Sequence, residues 1–472
     1  MAYIHELELN KLLDHSEMTP FRWYIWILAA LGLYIDGFDF FVIGVAMPLL
    51  DAQWDLSAVL KGALGVSALV GAVFGAMISG YLSDRLGRKL FFTIDIIILI
   101  ISAILCAVAW DVYSLIAFRF TLGVGVGAEY PISAAFISEA VPMHIRGRML
   151  IAGFSFQALG MLTAALVGLL VLVIFPDHIW DWRLILGAVV IPATIILILR
   201  SFMPQSIRWL LAKGKSAEAV KILRRYIPDK REEIDAVLAI PNKEIQTEMK
   251  EKLGFVVLFS RKYIRRTILA SVPWFFMDIA TYGIGIFAPM ILAQIAFSAG
   301  GDHSLFAAEL KALEEAAFID TFLVIGFAVN FYLIEKLGRI KLQTTGFLGM
   351  TVGLFLLGLA DLLSGGAGAH LVLVFSGFIV FNILMNAGPN STTFMLPVEL
   401  YPTKIRATGH GFAAATGKLG AVVGVFFLPI VKNAWGTAAV MFIVAGMTFL
   451  GFLITVLFRV ETRGKTLDEI QS

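Results

Sequence analysis

Long apolar segments separated by short polar connections recur along most of the chain. A helix needs about 20 mostly apolar residues to cross a bilayer, because its backbone groups must find their hydrogen-bond partners within the segment. The pattern predicts twelve such helices, at residues 23–50, 60–83, 90–110, 112–138, 149–176, 184–202, 267–298, 316–334, 342–360, 370–398, 407–431 and 434–458. We therefore expect an all-α membrane protein.

Basic residues are concentrated in alternate connections. These connections hold Arg85, Arg88 and Lys89, then Arg146 and Arg148, then Lys336, Arg339 and Lys341, then Lys404 and Arg406. The long polar segment 203–266 adds fifteen Lys and Arg against eight Asp and Glu. Because Lys and Arg favour cytoplasmic loops, we expect this segment and both termini to be cytoplasmic, in a multi-pass protein of the plasma membrane.

An internal repeat relates the first six predicted spans to the last six. Residues 80–89, GYLSDRLGRK, are matched by residues 332–341, YLIEKLGRIK, with acid, base, glycine and arginine displaced by 251 positions. Residues 139–146, EAVPMHIR, are matched by residues 399–406, ELYPTKIR, displaced by 260. Two patterns at nearly one offset predict two pseudo-symmetric halves with the ligand site between them. The predicted division is a first half at 1–202, a linker with short helices at 203–266, and a second half with a tail at 267–472.

Composition supports the membrane class and argues against others. Hydrophobic residues make up 59% of the 472 residues and charged residues 15%, against about 45–50% and 25% in soluble domains. The one cysteine, Cys106, lies in an apolar segment, which excludes a disulfide framework or a cysteine metal site. HExxH and GxSxG motifs are absent from the sequence, as is an aromatic-basic module. We expect no enzymatic activity, no cofactor or metal, and no nucleic-acid partner.

With these motifs, the sequence resembles the major facilitator superfamily over essentially its whole length. The repeated loops, FRFTLGVGVG at 118–127, PQSIRWLLAKGK at 204–215 and VETRGKTLDEI at 460–470 are similar to its sugar-porter-related branch. The glycines of 118–127 lie inside a predicted span, which favours close helix packing over a dinucleotide loop.

Three further segments resemble the proton-coupled phosphate symporter family. They are residues 388–421, YIDGFDFFVIG at 34–44 and WFFMDIATYG at 274–283. The resemblance implies that phosphate binds to Tyr130, Gln157, Trp274, Asp278, Tyr282, Asn390 and Lys418. It also assigns Asp36 and Asp39 to the proton pathway. This chain has Glu129 where the family usually has Asp, so the carboxylate is one methylene longer.

Ionisable residues inside spans are functional candidates, because each costs about 2.5–3.5 kcal/mol to insert. Asp36 and Asp39 are three positions apart and share a helix face. Like charges so close disfavour joint ionisation, so one carboxylate should hold a proton more tightly. The alternative is that one of them lies near the outer mouth or binds a helix end.

Trp274, Asp278 and Tyr282 recur every four residues and form one stripe on a helix. Aromatic residues at this spacing often serve packing, but a carboxylate among them favours a stripe that faces a cavity. Indole N–H and phenol O–H groups can donate to phosphate. An ionised Asp278 could accept the hydrogen of a protonated phosphate, which sulfate would lack.

Lys418 is the only Lys or Arg within the predicted eleventh span. It could pair with Asp278 alone, or it could compensate carboxylates when the site is empty and phosphate when it is loaded. The second arrangement is our preferred hypothesis. Asn390 and Gln157 could add amide contacts, although amides also hold membrane helices together.

The remaining charges suggest coupling and gating. Glu129 and Arg119 lie ten residues apart, and either couple protonation to closure or form static ion pairs through neighbouring helices. Charged residues of the repeated loops are expected to latch the cytoplasmic side in an outward-open state. They are Asp84, Arg85, Arg88, Glu139, Arg146, Glu335, Lys336, Arg339, Glu399 and Arg406.

The leading hypothesis is a monomeric symporter that imports inorganic phosphate with protons by alternating access. Its partners would be phosphate, protons and the lipid bilayer. A proton-coupled sugar or organic-anion symporter is the alternative within the same class. A nutrient sensor that binds without transport, with 203–266 as its signalling segment, is the alternative from another class.

Overall fold

The computed structural model describes most of the chain as helix. It describes residues 2–175, 179–240, 244–245, 254–297, 305–363, 369–467 and 469–470, with the side chains of 285–320 left aside. The helices are α1 Ile4–Asp14, α2 Pro20–Trp54, α3 Ala58–Leu86, α4 Arg88–Ala107, α5 Val112–Ala140, α6 Arg146–Ile174, α7 Trp182–Gly187, α8 Val190–Ser201, α9 Ile207–Ala212, α10 Ser216–Tyr226, α11 Arg231–Ala239, α12 Phe255–Leu258, α13 Ile264–Phe297, α14 Leu305–Leu337, α15 Arg339–Leu362, α16 Leu371–Ala387, α17 Pro389–Leu400 and α18 Arg406–Phe458. Two short antiparallel strands, β1 Ala2–Tyr3 and β2 Glu244–Ile245, pair with each other.

All twelve predicted spans are present. Ten stretches of the described chain are long and apolar enough to cross a membrane. The last stretch, α18, contains two spans, because Gly436 interrupts it with φ 83° and ψ 173°. With α14 the number reaches twelve, as the hydropathy pattern predicts. Residues 176 and 298, the predicted ends of the fifth and seventh spans, lie outside the described residues.

The predicted tenth span is broken in its interior. Helix α16 ends before Gly388, and α17 begins at Pro389, which lacks the N–H that a continuous helix would use. The break also separates the Asn386 carbonyl from the N–H four residues later, and this oxygen instead accepts hydrogen bonds from Asn330 Nδ2 at 3.1 Å and Ser391 Oγ at 3.3 Å. Side chains therefore satisfy the backbone at the break, as a membrane interior requires.

The sequence repeat has the same structural role in both halves. Gly87 ends α3 with φ 107°, and Gly338 ends α14 with φ 88°, in a region that favours glycine. Gln205 accepts hydrogen bonds from the first two backbone N–H groups of α4, at 2.9 and 3.1 Å. Glu461 does the same for α15, at 3.0 and 3.1 Å. Each half therefore starts its third span from a glycine turn with a side-chain cap.

The halves meet along two pairs of spans. Helix α3 packs on α18 on one flank, and α6 packs on α14 on the other. Within the first half, α5 lies directly on α3. A Cβ at Gly123 or Gly127 would collide with the backbone of Ala68 or Ala72. These glycines therefore allow close helix packing.

Both chain ends and helices α9 to α12 lie at one end of the bundle, called here the linker face. Helix α1 packs on α9, α10 and α11. The carboxylate of Asp14 accepts hydrogen bonds from Arg146 and, at 2.6 Å, from Arg208. Burial by itself would raise the pKa of Asp14, but the two guanidinium groups lower it, and the resulting pKa lies below its ordinary value.

Asp14→Asn is expected to loosen α1 from the linker face. Because the pKa of the folded state is lowered, the stabilisation is present above the unfolded pKa of about 3.9 and disappears as pH falls through the folded pKa. At neutral pH the variant should therefore lose it in full, about 3–5 kcal/mol for a broken buried pair. Hydrogen exchange of residues 4–14 should accelerate. Glu8→Gln, which removes an exposed carboxylate from the same helix, should leave that exchange unchanged.

Candidate functional site

A cation, a carboxylate and aromatic rings from both halves meet at the interface of the halves. Lys418 on α18 donates from Nζ to Tyr282 Oη at 2.7 Å, and its Nζ lies 3.5 Å from Asp278 Oδ2. Tyr130, from α5 in the other half, places its ring centroid 4.7 Å from the same nitrogen. Lys418 and Asp278 are each 2% exposed. This geometry brings the predicted cation and carboxylate together in a site closed to solvent.

The first half contributes the opposite wall of the site. Gln157 Nε2 donates to Tyr130 Oη at 2.7 Å. The Phe40 ring lies 5.1 Å from Lys418 Nζ and meets Tyr282 edge-on at 5.9 Å. Cation–π contacts of this kind stabilise a desolvated ammonium. Phe40 was not among the sequence candidates, and its position directly after Asp39 is the only signal that could have suggested it.

Trp274 is held against the base of the site. Its indole lies one helical turn before Asp278 on α13, and its ring packs edge-on against the His410 imidazole at 5.4 Å. A Cβ at Gly417 would come within 2.6 Å of the indole. The glycine therefore lets α18 approach α13 closely enough for the neighbouring Lys418 to reach Asp278. His410 was also missed, because an isolated histidine in an apolar segment carries no pattern.

Asn390 belongs to a chain of amides at the break between α16 and α17. Its Nδ2 donates to Asn386 Oδ1 at 2.7 Å, and Asn386 Nδ2 donates to the Asn382 carbonyl at 2.9 Å. These bonds fix the side chain on its own span. A contact between Asn390 and a substrate stays a prediction.

Glu129 belongs to a second charged cluster, within the first half. It accepts hydrogen bonds from Arg200 on α8, with Nη1–Oε2 at 2.8 Å and Nη2–Oε1 at 2.7 Å, and another from Ser133. Arg119 is not its partner, and interacts electrostatically with Asp39 instead. Arg200 was missed because it ends an apolar span, where an arginine looks like an ordinary cytoplasmic flanking charge.

Asp36 and Asp39 are both buried, at 1% and 2% exposure. Both carboxylate oxygens of Asp36, and Oδ2 of Asp39, lack a hydrogen-bond partner among the described residues. Asp36 lines a cavity of about 10 Å³ together with Asp95 and Glu129. In this structure Asp36 neither lies at an open mouth nor binds a helix end, and its assignment to a proton pathway stays a prediction.

At the linker face, each half caps a helix of the other. Asp84 on α3 accepts hydrogen bonds from the backbone N–H groups of Thr408 at 2.7 Å and Ala407 at 3.3 Å, at the start of α18. Glu335 on α14 accepts one from the Gly147 N–H at 2.9 Å, at the start of α6. Because carboxylates at helix N-termini are stabilised by the free N–H groups and the helix dipole, these contacts hold the linker face closed.

Ion pairs add to this closure on one flank. Glu139 accepts hydrogen bonds from Arg88 at 3.1 Å and, across the halves, from Arg406 at 2.9 Å. Two other predicted latch residues, Arg85 and Lys336, are exposed at the surface. Only some of the predicted latch residues therefore bridge the halves, and their role in gating stays a prediction.

The other flank breaks the symmetry of the repeat. Glu399 is bound by Arg339 of its own half at 2.9 Å. Arg146, which corresponds to Arg406, binds Asp14 of α1. The two glutamates of the repeated loops are thus neutralised differently.

Twelve spans in two halves, with a charged site between them, define a secondary transporter. The chain belongs to the family "Sugar (and other) transporter", whose profile matches residues 25–472. It is 32% identical to "Probable inorganic phosphate transporter 1-10" of Oryza sativa subsp. japonica, over 98% of this chain and 91% of that protein. It is 29% identical to "Probable inorganic phosphate transporter 1-6" of Arabidopsis thaliana, over 98% and 96%.

Among solved structures, the chain is similar to the major facilitator superfamily proton:xylose symporter XylE bound to 6-bromo-6-deoxy-D-glucose. The TM-score is 0.78 at 22% identity, covering 95% of this chain and 98% of that one. The likeness shows the major facilitator fold, and the resemblance read from the sequence is confirmed.

Proposed function

We propose that this protein imports inorganic phosphate together with protons by alternating access. The observation that carries the proposal is the Lys418 ammonium, buried at the interface of the halves and surrounded by the rings of Phe40, Tyr130 and Tyr282. A cation in that position needs an anion, and Asp278 is the only carboxylate that the structure places within 4 Å of it among the described residues. The names of the two plant relatives support phosphate as that anion.

In this mechanism Lys418 changes partner as substrate arrives. In the empty site it is neutralised by Asp278, and on loading it binds phosphate. Tyr130, Tyr282 and Trp274 then donate hydrogen bonds to the phosphate oxygens, with amide contacts from Gln157 and Asn390. Asp278, released from Lys418, accepts the hydrogen of the monoprotonated anion, which sulfate lacks.

Protons use the buried carboxylates of the first half. Asp36, Asp39 and Glu129 take up protons from outside, with Arg119 setting the charge around Asp39. The linker face is the cytoplasmic face of a plasma-membrane protein, with both termini inside. We place the halves at 1–202 and 267–472 about the linker 203–266, in a monomer. Because the latch residues close the linker face, opening it releases phosphate inward.

Proteoliposome uptake tests this function. An inward proton gradient should drive accumulation of labelled phosphate, and collapsing the gradient with an ionophore should stop it. Hexoses should neither enter nor compete, and sulfate should compete poorly. Hexose or organic-anion accumulation would favour the sugar-symporter alternative, whereas phosphate binding without any flux would favour a sensor.

A further inference from the structure

Three carboxylates from three helices line one small cavity beside the substrate site, and a guanidinium lies within 4 Å of two of them. They are Asp36 on α2, Asp95 on α4 and Glu129 on α5, and Arg200 on α8 is the shared cation. All four residues are 3% exposed or less. Beyond them, Asp39 and Lys418 act electrostatically on Asp36. One guanidinium balances one carboxylate, so the other two need protons to remain buried.

The Arg200 guanidinium is paired with Glu129 and also lies close to Asp95. Arg200 donates twice to Glu129, at 2.8 and 2.7 Å, while its Nη1 lies 3.9 Å from Asp95 Oδ2. That oxygen has no hydrogen-bond donor among the described residues. The other oxygen of Asp95 accepts from the Ile96 N–H at 2.7 Å. A short movement of the guanidinium would therefore exchange one ion pair for another.

Asp95 and Glu129 also line the same small cavity. Because a single guanidinium lies within 4 Å of both, one of these two buried carboxyl groups must hold a proton. A Cβ at Gly32 would collide with both the Glu129 carboxylate and the Arg200 guanidinium. The glycine thus leaves room for the pair to form and to rearrange.

A small cavity, lined by three carboxyl groups and otherwise by Gly, Ile and Leu residues, connects this pair to the proton pathway. Its volume is about 10 Å³, the room that one water molecule needs, and Asp36, Asp95 and Glu129 line it. Neither carboxylate oxygen of Asp36 has a hydrogen-bond partner among the described residues. A single water there would bridge Asp36 to the other two carboxyl groups.

We propose that Arg200 alternates between Glu129 and Asp95, so that Asp95 holds a proton while Glu129 is paired and passes it to Glu129 when Arg200 moves. The O–H bond of Asp95 breaks and an O–H bond of Glu129 forms, while the guanidinium moves to the Asp95 carboxylate. The charge of the cluster stays constant, which avoids creating an unpaired charge at low dielectric. Glu129 then exchanges its proton with Asp36 through the bridging water. This inference rests on the proton coupling proposed above.

Asp95→Asn tests the exchange, because an amide can neither hold the proton nor pair with Arg200. We expect gradient-driven phosphate accumulation to fall about a hundredfold, the scale on which a lost proton-transfer group acts, with a flattened pH profile. Phosphate counterflow, which needs no net proton movement, should persist. Asp95→Glu should restore accumulation. Asp361→Asn is the matched control, since that carboxylate binds the Ala438 N–H at 2.9 Å in the other half, and both activities should remain.

Infrared difference titration of the protein without phosphate gives a second readout. Alkaline titration should remove a protonated carboxyl C=O band that is missing from Asp95→Asn and shifted in Asp95→Glu. Unchanged accumulation and pH profile in Asp95→Asn would overturn the proposal, as would an unchanged infrared band. If the wild-type protein moves no phosphate, the proposed function fails, whereas the infrared titration still decides the role of Asp95.

Discussion

Lys418→Met is expected to abolish saturable phosphate uptake. The substitution keeps a flexible chain but removes the ammonium that Tyr282 and Asp278 contact at 2.7 and 3.5 Å. Phosphate loses its charge-assisted hydrogen bond, and Asp278 is left buried without a cation, at about 3–5 kcal/mol. Since about 1.4 kcal/mol corresponds to a factor of ten, uptake should fall by about two to three orders of magnitude. Labelled phosphate uptake and equilibrium binding would both report the loss.

Two companion variants separate anion binding from structural damage. Lys432→Met makes the same change elsewhere on α18 and should transport normally. Adding Asp278→Asn to Lys418→Met removes the stranded carboxylate, so thermal stability should recover while phosphate binding does not. Wild-type uptake by Lys418→Met would remove the anion site from this position.

Glu139→Gln is expected to open the linker face. This carboxylate is the acceptor for Arg88, for Arg406 of the other half and for the Ser206 hydroxyl. An amide would leave the buried Arg406 guanidinium without its carboxylate, whereas Arg88 would keep Asp84 at 2.8 Å; the loss at Arg406 would destabilise the closed arrangement by about 3–5 kcal/mol. A difference of that size shifts a two-state equilibrium by two orders of magnitude or more.

Spin labels at Arg85→Cys and Lys336→Cys would measure this opening. Both positions are exposed on the linker face, one on each half, and the single native cysteine, Cys106, is buried. The distance distribution should move to longer values in Glu139→Gln. Glu218→Gln, an exposed carboxylate on α10 of the same face, should leave it in place. Unchanged distances in Glu139→Gln would show that the pairs to Arg88 and Arg406 do not hold the halves together.

Sequence patterns predicted the features that repeat or stand out chemically. The twelve spans follow from hydropathy, and the paired loops around Asp84 and Glu335 follow from the two offsets. Lys418 and Asp278 could be singled out because a charge inside a span needs a reason to be there. Their proximity then follows from the glycine at 417, whose packing role is visible only once α13 and α18 are placed side by side.

Other features depend on contacts between distant parts of the chain. Arg200 binds Glu129 from 71 positions away, and Asp14 reaches Arg146 from 132 positions away. From the sequence, Glu129 and Arg119 could form ion pairs through neighbouring helices, but spacing along α5 does not name the partner, which for Glu129 is Arg200 on α8. Tertiary packing therefore decided which opposite charges met.

Arg146 and Arg406 hold equivalent positions in the two halves but bind different partners. This difference predicts which contact between the halves opens first. Where α3 meets α18, Asp84 and Glu139 both accept hydrogen bonds from the opposite half. Where α6 meets α14, Glu335 is the one carboxylate among the described residues that accepts a hydrogen bond from the opposite half. Arg146 binds Asp14 instead of a carboxylate of the second half. The contact between α6 and α14 is therefore the weaker of the two. We expect the halves to separate there first, with α3 and α18 as the hinge, so that water enters beside α6.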